Sequence, residues 1–184
     1  GSDRIAEVVR RELADADLIV NIQGDEPEAD PGTIDRLTRS LADRTGAEMA
    51  TLASPIQNEA VLEDRSGVKV VCAADGRALY FSRLPIPCYQ DGSPEEFWPS
   101  SDDEGAAYRE SPWLLHLGLY AYRREFLLAL TEMPQSKLER LENLEQLRAL
   151  EAGASIHVEV VRHRSVGIDT ADDYARFVER CRPQ

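Results

Sequence analysis

The stretch that decides the fold is "DLIVNIQGDEP", Asp17 to Pro27. A continuous apolar and β-branched run over 17–23 stops abruptly in a glycine, two adjacent carboxylates and a proline. Unbroken apolar character, in place of alternation, is what a strand covered on both faces needs. The turn that follows delivers Asp25 and Glu26 at the carboxyl end of that strand. One reading is an ordinary acidic turn. The other is a metal-binding carboxylate, because open α/β sheets bind ligands in the crevice outside the carboxyl ends of their strands.

The flanking segments supply the context. Upstream, Ile5, Val8, Val9 and Leu13 recur at helical spacing. Downstream, "DPGTIDRLTRSL" reads as a helix with Asp30 at the N-cap and Pro31 at the first helical position. "EMATLAS" (48–54) is a further strand. Helix, strand, helix, strand is the grammar of a parallel α/β sheet. The segment "VKVVCAADGRALYFSR" then holds two strand-like runs joined by Asp75-Gly76, a two-residue hairpin signal. Residues 84–112 are rich in Pro, Gly, Ser and acids, a length typical of a lid, an interface arm or a partly disordered loop. "WLLHLGLYAY" returns to strand and "REFLLAL" to helix. Ser136 and Glu139 form a capping-box pattern opening a helix expected to reach Gly153. "SIHVEVV" is the last strand, and "TADDYARFVERC", capped by Thr170, the last helix. The whole of 1–184 reads as one domain, without repeats.

Composition narrows the function. The net charge is −13, and lysine occurs only as Lys69 and Lys137. Sequence-independent nucleic-acid binding relies on Lys and Arg at phosphates, so this is a poor candidate for it. An anionic small molecule would need local arginines, backbone N–H groups or a divalent cation. No run is long enough to span a membrane and no signal sequence opens the chain, so the expected compartment is the cytoplasm. Cys72, Cys88 and Cys181 are odd in number and lack C-x-x-C spacing, which fits reduced thiols.

Several groups suit chemistry. Asp169, in "VGIDT", follows a strand and precedes a capped helix. It reads either as a cap or, since Thr170 suits that task, as a ligand. Asp25 and Asp169 together would suit Mg²⁺, which takes one or two protein carboxylates and keeps water or phosphate oxygens. On a continuous helix over 136–153, Leu138, Leu141, Leu144, Leu147 and Leu150 sweep about 240°, leaving Glu139, Glu142 and Gln146 within about 60° of one another. The capping box accounts for Glu139. Glu142 and Gln146 form either a solvated stripe or a face that recognises a hydroxylated ligand. His116 lies within an apolar strand, where a core or interface role is ordinary. Arg83 ends the hairpin, suited to a salt bridge or to a substrate carboxylate.

Taken in order, "GSDRIAEVV", "VNIQGDEP", "ALYFSRLPIP", "HLGLYAYRREFL", "LERLENLEQLRALEAG" and "GIDTADDY" resemble the 3-deoxy-manno-octulosonate cytidylyltransferases, or CMP-Kdo synthetases. The resemblance runs from the first residue nearly to the last. It implies a nucleotide-diphospho-sugar-transferase-like (Rossmann-like) fold: a mostly parallel sheet with a smaller antiparallel dimerisation layer. It also implies transfer of CMP from CTP to the acidic sugar Kdo, releasing pyrophosphate, for lipopolysaccharide synthesis. In that reaction the sugar 2-hydroxyl attacks the α-phosphorus, and catalysis is positioning plus charge neutralisation by Mg²⁺. By the same resemblance Asp25 and Asp169 match the magnesium aspartates, Gln23 and Arg4 lie by the nucleotide, and Arg83, His116, Tyr120, Glu142 and Gln146 surround the sugar. A homodimer is expected through the hairpin 68–83 and strand 114–120, with Tyr80, Phe81, Tyr120 and Tyr122. The chain departs from the family at Glu28 and Ala29, where apolar residues are usual. It also shows no counterpart of the family's early I-P-A-R-x-x-S-x-R-x-P-x-K loop. The resemblance therefore reads the chain as amino-terminally truncated and inactive by itself. The alternatives are a cytidylyltransferase for another acidic sugar (a sialic acid or amino-Kdo) and an inactive binding or dimerisation fragment.

Overall fold

In the computed structural model, which describes residues 1–22, 30–98, 111–161 and 178–179, the apolar run after Asp17 is a strand. The elements in chain order are α1 (Ser2–Glu12), β1 (Leu18–Asn21), α2 (Pro31–Ala42), β2 (Met49–Pro55), α3 (Glu59–Glu63), β3 (Lys69–Cys72) and β4 (Ala78–Ser82). There follow β5 (Leu114–Arg123), α4 (Arg124–Glu132), α5 (Lys137–Glu142), α6 (Gln146–Glu151) and β6 (Ile156–Val160). The expected last helix, with Thr170, falls almost wholly outside the described residues.

The strands form one mixed sheet in the order β4-β3-β5-β2-β6, with β1 added on β5. Strand β5 organises it. One edge carries β2, and the other is shared between β1, opposite Tyr120–Arg123, and β3, opposite Leu114 and Leu115. The pairings make β1, β2, β3 and β6 run one way and β4 and β5 the other. Thus β1 and β2 share a direction, as a helical crossover through α2 requires, but the antiparallel β5 lies between them. Among the described residues β2 and β6 are the parallel neighbours. The α/β class is as expected, and the parallel grammar gives strand direction without giving adjacency.

Side chains alternate across the sheet and define two cores. On one face Ala6 and Val9 of α1, Leu127 and Leu130 of α4, and Leu147 and Ala149 of α6 pack with Met49, Ala53, Tyr122, Ile156 and Val158. On the other, Leu37 and Leu41 of α2 cover Ala50, Leu52, Leu117, Leu119 and Ala121. A third cluster of Ile56, Leu62 and Trp113 receives Phe97 and Trp98, and Trp113 Nε1–H donates to Pro87 O at 2.8 Å. The described part of the 84–112 segment is therefore folded back on Trp113.

Local chemistry sets the boundaries. Asp30 caps α2, its Oδ2 accepting the Thr33 N–H at 2.8 Å, with Pro31 following as expected. At the β3–β4 turn, Ala73 N–H donates to Arg77 O and Gly76 N–H to Ala73 O. This is a three-residue loop, not the expected two-residue one, because Gly76 alone takes the left-handed conformation (φ 83°). The expected helix over 136–153 is also corrected. The capping box of Ser136 and Glu139 is present, but Asn143 adopts φ 54° and ends α5, and α6 begins anew at Gln146. The break resets the helical phase. Leu141, expected on the apolar sweep, is consequently 72% exposed.

Candidate active site

The site begins at an irregularity in the β2–β5 ladder. Thr51 pairs with Tyr120 and Leu52 with Leu117, so Gly118 and Leu119 are extra residues bulged out of β5. Bulges re-aim side chains and leave ladder carbonyls to be satisfied otherwise. Here the buried Thr51 Oγ1 lies 2.7 Å from Leu119 O and 3.2 Å from Leu117 O, and also 2.9 Å from His116 Nε2. The His116 ring meets the edge of Phe81 at 5.1 Å and the Tyr120 ring at 5.3 Å. His116 and Tyr120 thus stand side by side. Strand β1 ends at Asn21, directly across from Tyr120. Gln23 and Asp25, which follow it, lie outside the described residues, as does Asp169.

Burial fixes the charge states. It pushes the His116 imidazole down to about 3, so the ring is neutral at physiological pH. Burial also raises the Tyr120 and Tyr122 phenols, with nearby Glu145 adding to both, so neither ionises. This bears on stability. The folded chain keeps His116 neutral while the unfolded chain protonates it near 6.5, so stability falls as pH drops from about 6.5 towards about 3. His157, lowered by burial and by Arg44, acts in the same direction. Urea midpoints measured from pH 7 to pH 4 should fall, and His116→Phe should flatten part of that fall. A midpoint that rises on acidification would contradict the burial argument.

The second group is built on β4 and the end of α5. Glu142 accepts from the Ser82 hydroxyl at 2.8 Å and from the Arg83 backbone N–H at 3.0 Å, with Tyr80 Oη at 3.5 Å. Arg83 answers with its side chain: Nε donates to Glu142 O at 2.8 Å, Nη2 to Asn143 O at 3.3 Å and Nη1 to Arg65 O at 3.1 Å. The structure therefore brings Arg83 and Glu142 together, with the guanidinium spent on backbone carbonyls, including that of the αL residue Asn143. Neither the expected salt bridge nor a free fork is what it forms. Strand β4 links the two groups, since Phe81 touches His116 while the neighbouring Ser82 holds Glu142.

Gln146 opens α6 and is buried, and its Nε2 has no hydrogen-bond partner among the described residues. Because of the break at Asn143, Gln146 does not share one helical stripe with Glu142. Arg4 is exposed on the first turn of α1. Thr51 and Ser82 were not singled out by sequence, and Tyr80 was expected only at a dimer interface. The available signal was a hydroxyl within an otherwise apolar strand, at "MATLAS" and "YFSR". Lys69, one of the two lysines, is buried with Nζ donating to Asp64 O at 2.8 Å and Gly67 O at 2.6 Å, so it serves the fold.

Two further features lie apart from these groups. An open cavity of about 450 Å³ between α2 and β6 is lined by residues including Arg36, Arg39, Arg44 and His157, on the sheet face opposite His116. Among the described residues no group of three or more His, Cys, Asp or Glu could hold a metal ion. Cys72 and Cys88 are free thiols, and burial pushes Cys72 up to about 11.

A three-layer α/β chain with uncharged hydrogen-bonding groups beside a strand end is a fold suited to binding a polar, hydroxylated small molecule. Comparison with known proteins makes the class specific. The profile of the family described as Cytidylyltransferase matches residues 1–156, and the chain belongs to that family. It is 42% identical over 98% of its length to the 3-deoxy-manno-octulosonate cytidylyltransferase of Geobacter sulfurreducens, covering 69% of that protein. It is 47% identical over 96% of its length to the enzyme of the same name from Xanthomonas axonopodis pv. citri, covering 66% of it. A solved structure of CMP:2-keto-3-deoxy-manno-octonic acid synthetase complexed with CTP superimposes with a TM-score of 0.80 at 34% identity. That match covers 96% of this chain and 65% of the solved one, so the chain spans about two thirds of the length of these relatives.

Proposed function

We propose that this chain carries the sugar side of a CMP-Kdo synthetase, which transfers CMP from CTP to Kdo and releases pyrophosphate. The observation that carries the reading is Gln146. A buried amide donor without a partner is costly and calls for an explanation. A hydroxylated ligand supplies one, and the sequence resemblance implies a place beside the sugar for Gln146. Neutral His116 and Tyr120 add hydrogen-bonding groups that discriminate hydroxyls without competing charge. Glu142 and Arg83 act by position, locking the end of β4 to the α5–α6 break from which Gln146 projects. Titration calorimetry tests this. Gln146→Met should weaken Kdo binding by about tenfold while leaving the unfolding midpoint unchanged or raised, since it removes an orphaned donor. Undiminished Kdo binding would defeat the reading.

Mg²⁺ belongs to the proposal through Asp25 and Asp169, which lie outside the described residues and rest on the motifs "GDEP" and "GIDT". When bound, the ion would neutralise phosphate charge during attack on the α-phosphorus. A homodimer is also proposed. Among the described residues strand β4 is a sheet edge; its Leu79 and the nearby Leu84 are each 51% exposed, with Leu141 at 72%. Such an edge invites pairing. Strand β5 carries β2 along one edge and β1 and β3 along most of the other. Sedimentation at micromolar concentration should show a dimer that Leu79→Lys weakens; a monomer throughout would remove the dimer. No helix among the described residues is long and apolar enough to cross a membrane.

A further inference from the structure

We propose that Thr51 is a positioning residue that fixes the tautomer of His116, so that Nε2 carries the proton and Nδ1 is presented as a lone-pair acceptor for a sugar hydroxyl. The geometry is a matter of counting protons. Thr51 Oγ1 has one hydrogen and three neighbours: His116 Nε2 at 2.9 Å, Leu119 O at 2.7 Å and Leu117 O at 3.2 Å. Two of the three are carbonyl oxygens, which only accept. The hydroxyl proton therefore goes to a carbonyl, the shorter contact being Leu119 O. What Oγ1 then offers the imidazole is a lone pair, and Nε2 must supply the hydrogen. In a neutral ring this leaves Nδ1 bare.

The bulge is what makes the arrangement binding. Gly118 and Leu119 are extra residues on β5, which redirects the carbonyls of Leu117 and Leu119 from the regular ladder towards Thr51. Thr51 is fully buried, so no water competes for its hydroxyl. The imidazole is held from other sides as well. Its own backbone N–H donates to Val68 O at 2.8 Å, Phe81 meets the ring edge-on at 5.1 Å, and Tyr120 lies at 5.3 Å. The ring is thus fixed in place, and Thr51 selects which nitrogen accepts. An acceptor nitrogen suits a hydroxyl donor and repels a carboxylate, which assigns His116 to the hydroxyls of the sugar and not to its acid group. This last step rests on the functional reading above, whereas the tautomer does not.

The test separates the two. Long-range ¹H–¹⁵N correlation on the ligand-free chain should show His116 as a single Nε2–H tautomer, retained in Thr51→Ser and lost to a mixture in Thr51→Val. Kdo affinity by calorimetry should be within about threefold of the parent for Thr51→Ser and weaker by about tenfold for Thr51→Val, with CTP affinity unchanged. A His116 that is Nδ1–H in the parent chain overturns the proposal even if Thr51→Val does not fold. So does a Thr51→Val chain with an unchanged tautomer. A tautomer that responds to Thr51 while Kdo affinity does not overturns the assignment of Nδ1 to the sugar, and leaves the proton-counting argument standing.

Discussion

Arg148→Ala is expected to lower the unfolding free energy by about 3–5 kcal/mol, the usual cost of stranding one partner of a buried ion pair. Arg148 Nε and Nη2 meet the two Glu139 carboxylate oxygens at 2.8 and 2.6 Å, a bidentate pair with side chains only 10% and 6% exposed. The Glu139 carboxyl is held below its ordinary range chiefly by Arg148, and Arg148 is raised chiefly by Glu139, so both partners agree on an ionised pair. Arg148 Nη1 also reaches Leu130 O at 3.3 Å and Met133 O at 3.4 Å, tying the end of α4 to the α5–α6 unit. Urea unfolding would measure the loss. The double change Glu139→Gln with Arg148→Met should recover part of it, because no charge is then left buried. A loss below about 1 kcal/mol would put the pair in the class of exposed bridges instead.

Asp25→Asn and Asp169→Asn are each expected to cut Mg²⁺-supported pyrophosphate release by about a hundredfold or more, as removal of a preorganised charge does elsewhere. Each change keeps the side-chain shape and removes one negative oxygen from a cation that prefers carboxylates. Unfolding midpoints should stay within a degree or so of the parent, since an isosteric exchange that leaves packing intact moves stability little. The Mg²⁺ concentration needed for half-maximal rate should rise in both. If Asp169→Asn kept near-parental activity, its role would be that of a helix cap and the metal reading would fail there.

Those two predictions stand at opposite ends of what sequence makes visible. The capping box of Ser136 and Glu139, the N-cap at Asp30 and the strand at 18–21 follow from local chemistry, and the structure shows them. The Glu139–Arg148 pair was invisible because nine residues on one continuous helix place two side chains about 180° apart. It is the break at Asn143 that brings them together, and an asparagine taking a left-handed cap within "LENLEQ" has no signal stronger than its residue type. Position of β5 was hidden for a similar reason. Its apolar pattern identifies a buried strand, but insertion between β1 and β2 is a long-range choice. The pairing of Arg83 with Glu142 and of Thr51 with His116 likewise joins residues about 60 apart in the chain. Family resemblance named Arg83, His116 and Glu142 without showing their bonds, and Thr51 escaped it altogether.

The central claim, that these residues serve Kdo, is tested most directly by pyrophosphate release from CTP and Mg²⁺, with Kdo and with a sialic acid as alternative acceptors. The assay should use the protein with any residues that precede Gly1 in its gene included. The account predicts release that depends on Kdo and exceeds that with the sialic acid by at least about tenfold, a margin that a few misplaced hydrogen bonds to hydroxyls supply. Release that ignores Kdo, or that runs faster with the sialic acid, would contradict it.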